Sequence, residues 1–206
     1  MSDKRLAGRK VLVTGVGRAI GPAIVRRFAE CGAHVAAANR TLSTAQTVTD
    51  ALQQQGLSAI ALPLDLEGPD GAAAAVQDAA VQLGGLDIVV HNAGVCPWSP
   101  LETLEESDLE TTLSINLKAC FRLVKAALPW LRQSGQGRFL VTSSVTGPRV
   151  AMPGAVHYGA AKGGVNAFVR GAALELASDG ITVNAVEPVS YTHLRAHETR
   201  HDLVCR

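Results

Sequence analysis

The sequence is short of three things, and each shortage closes off a class of protein. Charge of one sign is missing: 19 Lys and Arg stand against 18 Asp and Glu, a formal net charge of +1. With no basic run to neutralise a phosphate backbone, nucleic acid is not an expected partner. Long apolar runs are missing too. None reaches the roughly 20 residues a membrane span requires, and the polar start from Met1 to Arg5 lacks the shape of a signal peptide. A cytoplasmic protein without membrane contact is expected. Cysteine is sparse: Cys31, Cys96, Cys120 and Cys205 are scattered without a CxxC pair. That distribution suits reduced, mostly buried thiols better than disulfides or a zinc site.

What the chain has is apolar residues in short blocks. At 206 residues and 47% hydrophobic, it is long enough for one sizeable core and short for two. Residues 10–14 (KVLVT) read as a strand, followed by the glycine-rich Gly15-Val16-Gly17-Arg18-Ala19-Ile20-Gly21. A helix over residues 19–31 and a strand over 34–39 complete a strand, glycine loop, helix, strand unit. Glycines at such a turn let the backbone approach a pyrophosphate, whose charge the N–H groups at the helix start stabilise. The usual dinucleotide spacing GxGxxG is not met, because its last position falls on Ile20. Helices are then predicted over 43–55, 70–83, 103–131 and 157–178, and strands over 58–64, 86–91, 138–143 and 181–187. Pro129 should kink or restart the third of these helices.

Near-continuous apolar strands separated by helices predict an α/β fold, a Rossmann-like doubly wound parallel sheet with helices on both faces. In such sheets ligands sit beyond the carboxyl ends of the strands. Thr14, Asn39, Asp65, Asn92, Ser143 and Pro188 all fall at or just past those ends. The predicted helix at 157–178 opens on His157-Tyr158-Gly159-Ala160-Ala161-Lys162. Four residues apart, Tyr158 and Lys162 share a helix face, and an ammonium beside a phenol favours the phenolate and brings proton transfer within range. The same spacing also occurs on solvated helix faces that carry no chemistry.

With these residues placed, residues 6–188 resemble a short-chain dehydrogenase/reductase of the single-domain kind, close in type to 3-oxoacyl-carrier-protein reductases. Thr14-Gly15 through Ala19 and Gly21 is similar to the family's TGxxxGxG, with Ala19 where the middle glycine is usual. Asn92-Ala93-Gly94 matches the family's NAG, with His91 where a first Asn is common. Asn116, Ser144, Tyr158 and Lys162 match its catalytic set.

The resemblance implies hydride transfer between NADP(H) and a small carbonyl or secondary alcohol. Tyr158 would be the general acid or base, and Lys162 would lower its pKa and bind the nicotinamide ribose. Ser144, with Ser143 as rival, would hydrogen-bond the carbonyl oxygen, and Asn116 would hold a water that links Lys162 to solvent. Ser144 to Tyr158 is one residue longer than the family leads one to expect, which puts a bulge near Pro148 or Pro153. The cofactor would lie along Thr14, Gly15, Gly17, Arg18, Ile20, Gly21, Asn39, Arg40, Asp65, Leu66, Asn92, Ala93, Gly94, Tyr158, Lys162 and Pro188.

Asn39 stands where an acidic residue would accept the ribose hydroxyls of NAD, and Arg40 and Arg18 are cations for a 2′-phosphate, so NADP(H) is preferred and NAD(H) remains possible. Asp65 either contacts the adenine or caps the next turn. Cys96-Pro97-Trp98 and Met152-Pro153 would line the pocket mouth. The family also implies a homo-oligomer, tetramer or dimer. A non-catalytic dinucleotide-binding regulator is the competing class.

Past Pro188 the resemblance stops. Residues 189–199 read VSYTHLRAHET, which resembles the translation of an end sequence used in transposase-made DNA libraries. Residues 1–188 are therefore expected to form a dinucleotide-binding domain that is truncated before its last strand, with 189–206 a non-native tail and this chain an inactive fragment in one reading. His197-Glu198-Thr199-Arg200-His201 fits the HExxH zinc pattern, but it lacks apolar periodicity and lies in that tail, so no metal is expected.

Overall fold

A computed structural model describes residues 4–189. The expected tail beyond Val189, with Cys205, the HExxH string and the question of a further strand, lies outside the described residues.

Six parallel strands form one sheet: β1 Lys10–Thr14, β2 His34–Asn39, β3 Ala59–Pro63, β4 Ile88–His91, β5 Arg138–Thr142 and β6 Thr182–Val186, in the order β3-β2-β1-β4-β5-β6. The helices are α1 Ile20–Glu30, α2 Leu42–Gln53, α3 Gly71–Leu83, α4 Glu106–Leu113, α5 Ala119–Ser134 and α6 Val156–Glu175. Successive side chains of β1 point to opposite faces, as a pleated strand requires. Val11 and Val13 join the core made with α1 and α2, through Val25, Ala29 and Leu52. Leu12 joins the core made with α3, α5 and α6, through Val76, Leu123 and Phe168. Both faces of the sheet are thus covered by helices, which is the predicted fold.

One predicted helix is corrected. Instead of a single helix over residues 103–131, a 3-10 turn at Leu101–Thr103 precedes α4, and a π turn, Ser114–Lys118, separates α4 from α5. The interruption falls at the π turn, and Pro129 does not restart the helix: α5 runs through it to Ser134. Pro129 and Lys125 are both exposed, so the Lys125 carbonyl that Pro129 leaves without an N–H partner lies on the solvated side, where a proline is tolerated within a helix.

Sheet growth reverses between β1 and β4. β2 and β3 lie to one side of β1, while β4, β5 and β6 lie to the other. The crevice beyond the strand ends at this reversal is where an open α/β sheet takes a ligand. Among the described residues no helix is long and apolar enough to cross a membrane.

Candidate active site

The crevice is a cleft of about 700 Å³. Its floor is the loop between β1 and α1, and its neighbour is the turn that follows β4. Asn92 Nδ2 donates to the Gly15 carbonyl at 2.8 Å, which binds the two segments together. They approach so closely that a Cβ on Gly15 would lie 2.4 Å from Ala93 Cα, and Gly15 itself has φ +72°. Only glycine satisfies both conditions. Gly15→Ala is expected to cost more than about 2 kcal/mol, since a left-handed alanine and a backbone clash add together; urea unfolding measures it.

Ala19, just before α1, has φ 53° and is the one described non-glycine residue at positive φ. The position that carries glycine in the family pattern therefore still demands glycine-like backbone here.

Of the expected cofactor residues, Gly15, Gly17, Arg18, Ile20, Asn39 and Arg40 line the cleft, as do Asp65, Leu66, Asn92, Ala93 and Gly94. Thr14 is fully buried behind the loop, Gly21 lies in the first turn of α1, and Pro188 stands apart from the lining, its carbonyl accepting from Val145 N at 3.3 Å. Asp65 Oδ1 accepts from Glu67 N at 2.9 Å, so it caps its own turn while it faces the cleft. Arg40 pairs with Glu67 at 3.3 Å in an exposed contact, and Asn39 Nδ2 donates to the Thr41 carbonyl.

Tyr158 and Lys162 share a wall of the same cleft. Lys162 is 3% exposed, and its Nζ donates to the Thr142 carbonyl at 2.8 Å and lies 5.6 Å from the Tyr158 ring centroid. Burial disfavours its charge and holds its pKa down to about 8, with smaller opposing contributions from Cys120 and Cys96. Burial pushes the Tyr158 phenol above its ordinary value, a hydrogen bond with Ser144 pulls it back in part, and Cys96 adds to the rise. The expected lowering of the phenol by Lys162 does not set the direction here: desolvation dominates and the shift is upward, while one of the three Lys162 N–H donors goes to the Thr142 carbonyl. A phenol that keeps its proton at neutral pH is a donor, the state an acid needs.

The structure separates the two serines. Ser143 is 3% exposed, with its hydroxyl donating to Asn166 Oδ1 at 2.7 Å. Ser144 Oγ accepts from Thr146 N at 3.0 Å, and of the two serines it is Ser143 that is part of the cleft lining. Between Ser144 and Tyr158 the chain forms a closed turn around Pro148, where Thr146 bridges Val150.

Asn116 sits fully buried in the π turn. Its Nδ2 donates to the carbonyls of Val95 and Thr112 at 2.8 and 2.9 Å, while its Oδ1 has no protein partner. A Cβ on Gly94 would come 2.8 Å from that oxygen and 3.6 Å from Lys162 Nζ. Gly94 thereby leaves an acceptor and an amine facing one small space.

Of the residues expected at the pocket mouth, Cys96 lines the cleft, whereas Pro97, Trp98, Met152 and Pro153 are not part of its lining. Sequence reasoning missed the connecting groups: the Thr142 carbonyl under Lys162, Ile115 on the cleft wall, and His91. Backbone carbonyls leave no mark in a sequence. His91 did leave one, a polar residue ending an apolar strand.

The short chain dehydrogenase family profile matches residues 9–202. The chain is 37% identical over 183 residues to 3-oxoacyl-(acyl-carrier-protein) reductase FabG of Vibrio cholerae, covering 89% of this chain and 73% of that one. It is 36% identical over 190 residues to Elsinochrome reductase 1 of Elsinoe fawcettii, covering 91% and 70%. Among solved structures, a short chain dehydrogenase from Burkholderia cenocepacia in complex with NADP superimposes with a TM-score of 0.84 at 37% identity, covering 89% of this chain and 75% of that one.

Proposed function

This chain belongs to the short-chain dehydrogenase family and is an NAD(P)-dependent oxidoreductase acting on CH–OH or C=O groups, and within that class we propose a reductase of 3-oxoacyl thioesters or similar ketones that prefers NADP(H). The observation that carries the reading is that Tyr158 and Lys162 stand on the wall of the cleft whose floor is the glycine loop. The fit to a dinucleotide rests on the close approach of Gly15 to Ala93, which leaves bare backbone where a pyrophosphate would lie. Arg18 and Arg40 at the β2 end would meet the 2′-phosphate, Asp65 and Leu66 would border the adenine, and Asn92 to Gly94 would flank the nicotinamide.

When bound, the nicotinamide supplies the hydride; the remaining work falls to side chains of this chain. Tyr158 donates its proton to the carbonyl oxygen, and Ser144 hydrogen-bonds the same oxygen and stabilises its developing charge. Lys162, with a pKa of about 8, carries most of its charge at neutral pH and still exchanges protons readily. Asn116 Oδ1, buried and without a protein partner beside Lys162, suits a water that returns the proton from solvent. In the cell we place the enzyme in the cytoplasm as a dimer or tetramer.

The test compares kcat/KM for NADPH and NADH with a 3-oxoacyl thioester, and the reading requires NADPH to be favoured. The Arg40–Glu67 pair is exposed on both sides and gives way at little cost. Arg40→Ala is therefore expected to lower the NADPH-to-NADH ratio about tenfold, the scale of one lost charge-assisted hydrogen bond, with NADH kinetics unchanged. Equal use of both nucleotides by the wild type would sink the NADP preference.

A further inference from the structure

We propose that His91 is a positioning residue that joins the two halves of this site through one imidazole, setting the cofactor platform with one nitrogen and the Asn116 turn with the other. The inference rests on the function proposed above. His91 ends β4 at 1% exposure. Its Nε2 lies 3.1 Å from the Ile115 carbonyl and its Nδ1 lies 3.0 Å from Thr14 Oγ1. A carbonyl only accepts, so Nε2 carries the proton and Nδ1 is bare. Nδ1 therefore accepts from the Thr14 hydroxyl. With its proton committed, Thr14 Oγ1 accepts from the backbone N–H groups of Asn92 and Ala93, both at 3.2 Å. Each link fixes the direction of the next, and the chain of donors runs one way, from the turn after β4 through Thr14 and His91 into the π turn.

Both ends of that chain are working parts of the cleft. Asn92 holds the Gly15 carbonyl, and Ala93 packs against Gly15, so orientation of this turn sets the backbone surface offered to a pyrophosphate. Ile115 immediately precedes Asn116 inside the π turn. Wide turns of this kind are strained relative to an α-helix and are found mostly where function needs them. Without a donor on Ile115 the turn can relax toward α geometry, and a change of one residue in register swings side chains about 100° around the axis. Asn116 Oδ1 would then no longer face Lys162.

The test uses the full chain and three variants. NADPH dissociation constants are read from fluorescence, kcat from turnover of a 3-oxoacyl thioester, and stability from urea unfolding. His91→Leu removes both bonds and is expected to weaken NADPH binding about tenfold and lower kcat about tenfold, each the scale of a lost buried hydrogen bond. His91→Asn puts an acceptor where Nδ1 was but is too short for Ile115, so binding returns to normal while kcat stays low. His91→Gln reaches Ile115 but not Thr14, and gives the reverse pattern.

A merely structural histidine would not produce that crossed result. Imidazole nitrogen NMR adds a readout free of turnover, with the Nε2–H tautomer expected in the wild type. Binding and kcat falling together in step with lost stability, no change in any variant, or an Nδ1–H tautomer would overturn this inference alone. A wild type that neither binds NADPH nor reduces a ketone would overturn the proposed function and this inference with it.

Discussion

Tyr158→Phe is expected to lower kcat for ketone reduction by about 10²- to 10⁴-fold, the usual contribution of a positioned general acid, while NADPH binding and stability stay close to wild type. The change removes one hydroxyl from a side chain that is otherwise held by packing on α6. Because burial holds the phenol above its ordinary pKa, the lost group is a loaded proton donor at neutral pH. Ser144, in the proposed role, would hydrogen-bond the carbonyl oxygen but has no proton it can release at comparable cost. Stopped-flow oxidation of NADPH separates the chemical step from binding, and a variant with undiminished single-turnover rate would remove Tyr158 from the mechanism.

Lys162→Met is expected to abolish turnover and yet to stabilise the fold. The pKa of Lys162 drops from 10.5 to about 8 on burial. Below pH 8 the folded chain bears the full cost of a buried ammonium, on the order of 3 kcal/mol. Between pH 8 and 10.5 the folded chain has released this proton while the unfolded chain still holds it, so the cost disappears and stability rises with pH. Methionine never bears that cost, although it leaves the Thr142 carbonyl without its donor, which returns about 1 kcal/mol. The net gain is about 1–2 kcal/mol at pH 7, and it should vanish by pH 10. Urea unfolding of both proteins at the two pH values measures it; a methionine variant less stable than wild type at pH 7 would show that the ammonium is better compensated than its burial implies. Such an opposition between stability and activity is typical of groups kept for chemistry.

The strands were legible because a parallel sheet covered on both faces needs unbroken apolar runs, and KVLVT or the residues around Val89 permit little else. Tyr158 and Lys162 were legible only together: helical spacing puts them on one face, as it does on many solvated helices, and the motifs around them pointed that face at the cleft. The π turn was not, since nothing in Ser114 to Lys118 distinguishes a wide turn from an ordinary one, and the pattern around it is helical. Between Ser143 and Ser144 the family pattern named Ser144 and left Ser143 as its rival; adjacent residues past the end of β5 cannot be separated by spacing, and the structure adds that the Ser143 hydroxyl is engaged by Asn166. The upward shift of Tyr158 follows from its burial, which depends on the packing of distant segments and has no letter of its own.

The reversal of the sheet between β1 and β4 also bears on how the molecule assembles. β1, β2 and β3 pair in chain order across short intervals, but Thr14 and His91 meet across 77 positions of sequence. Closing so long a loop is entropically late compared with the local pairings. The crevice is bounded on both sides of that closure, so it comes into being only when the two halves of the sheet dock. A chain caught before docking would hold much of its regular structure and have no binding site, and a ligand that spans the crevice would act as a clamp on the last step of folding.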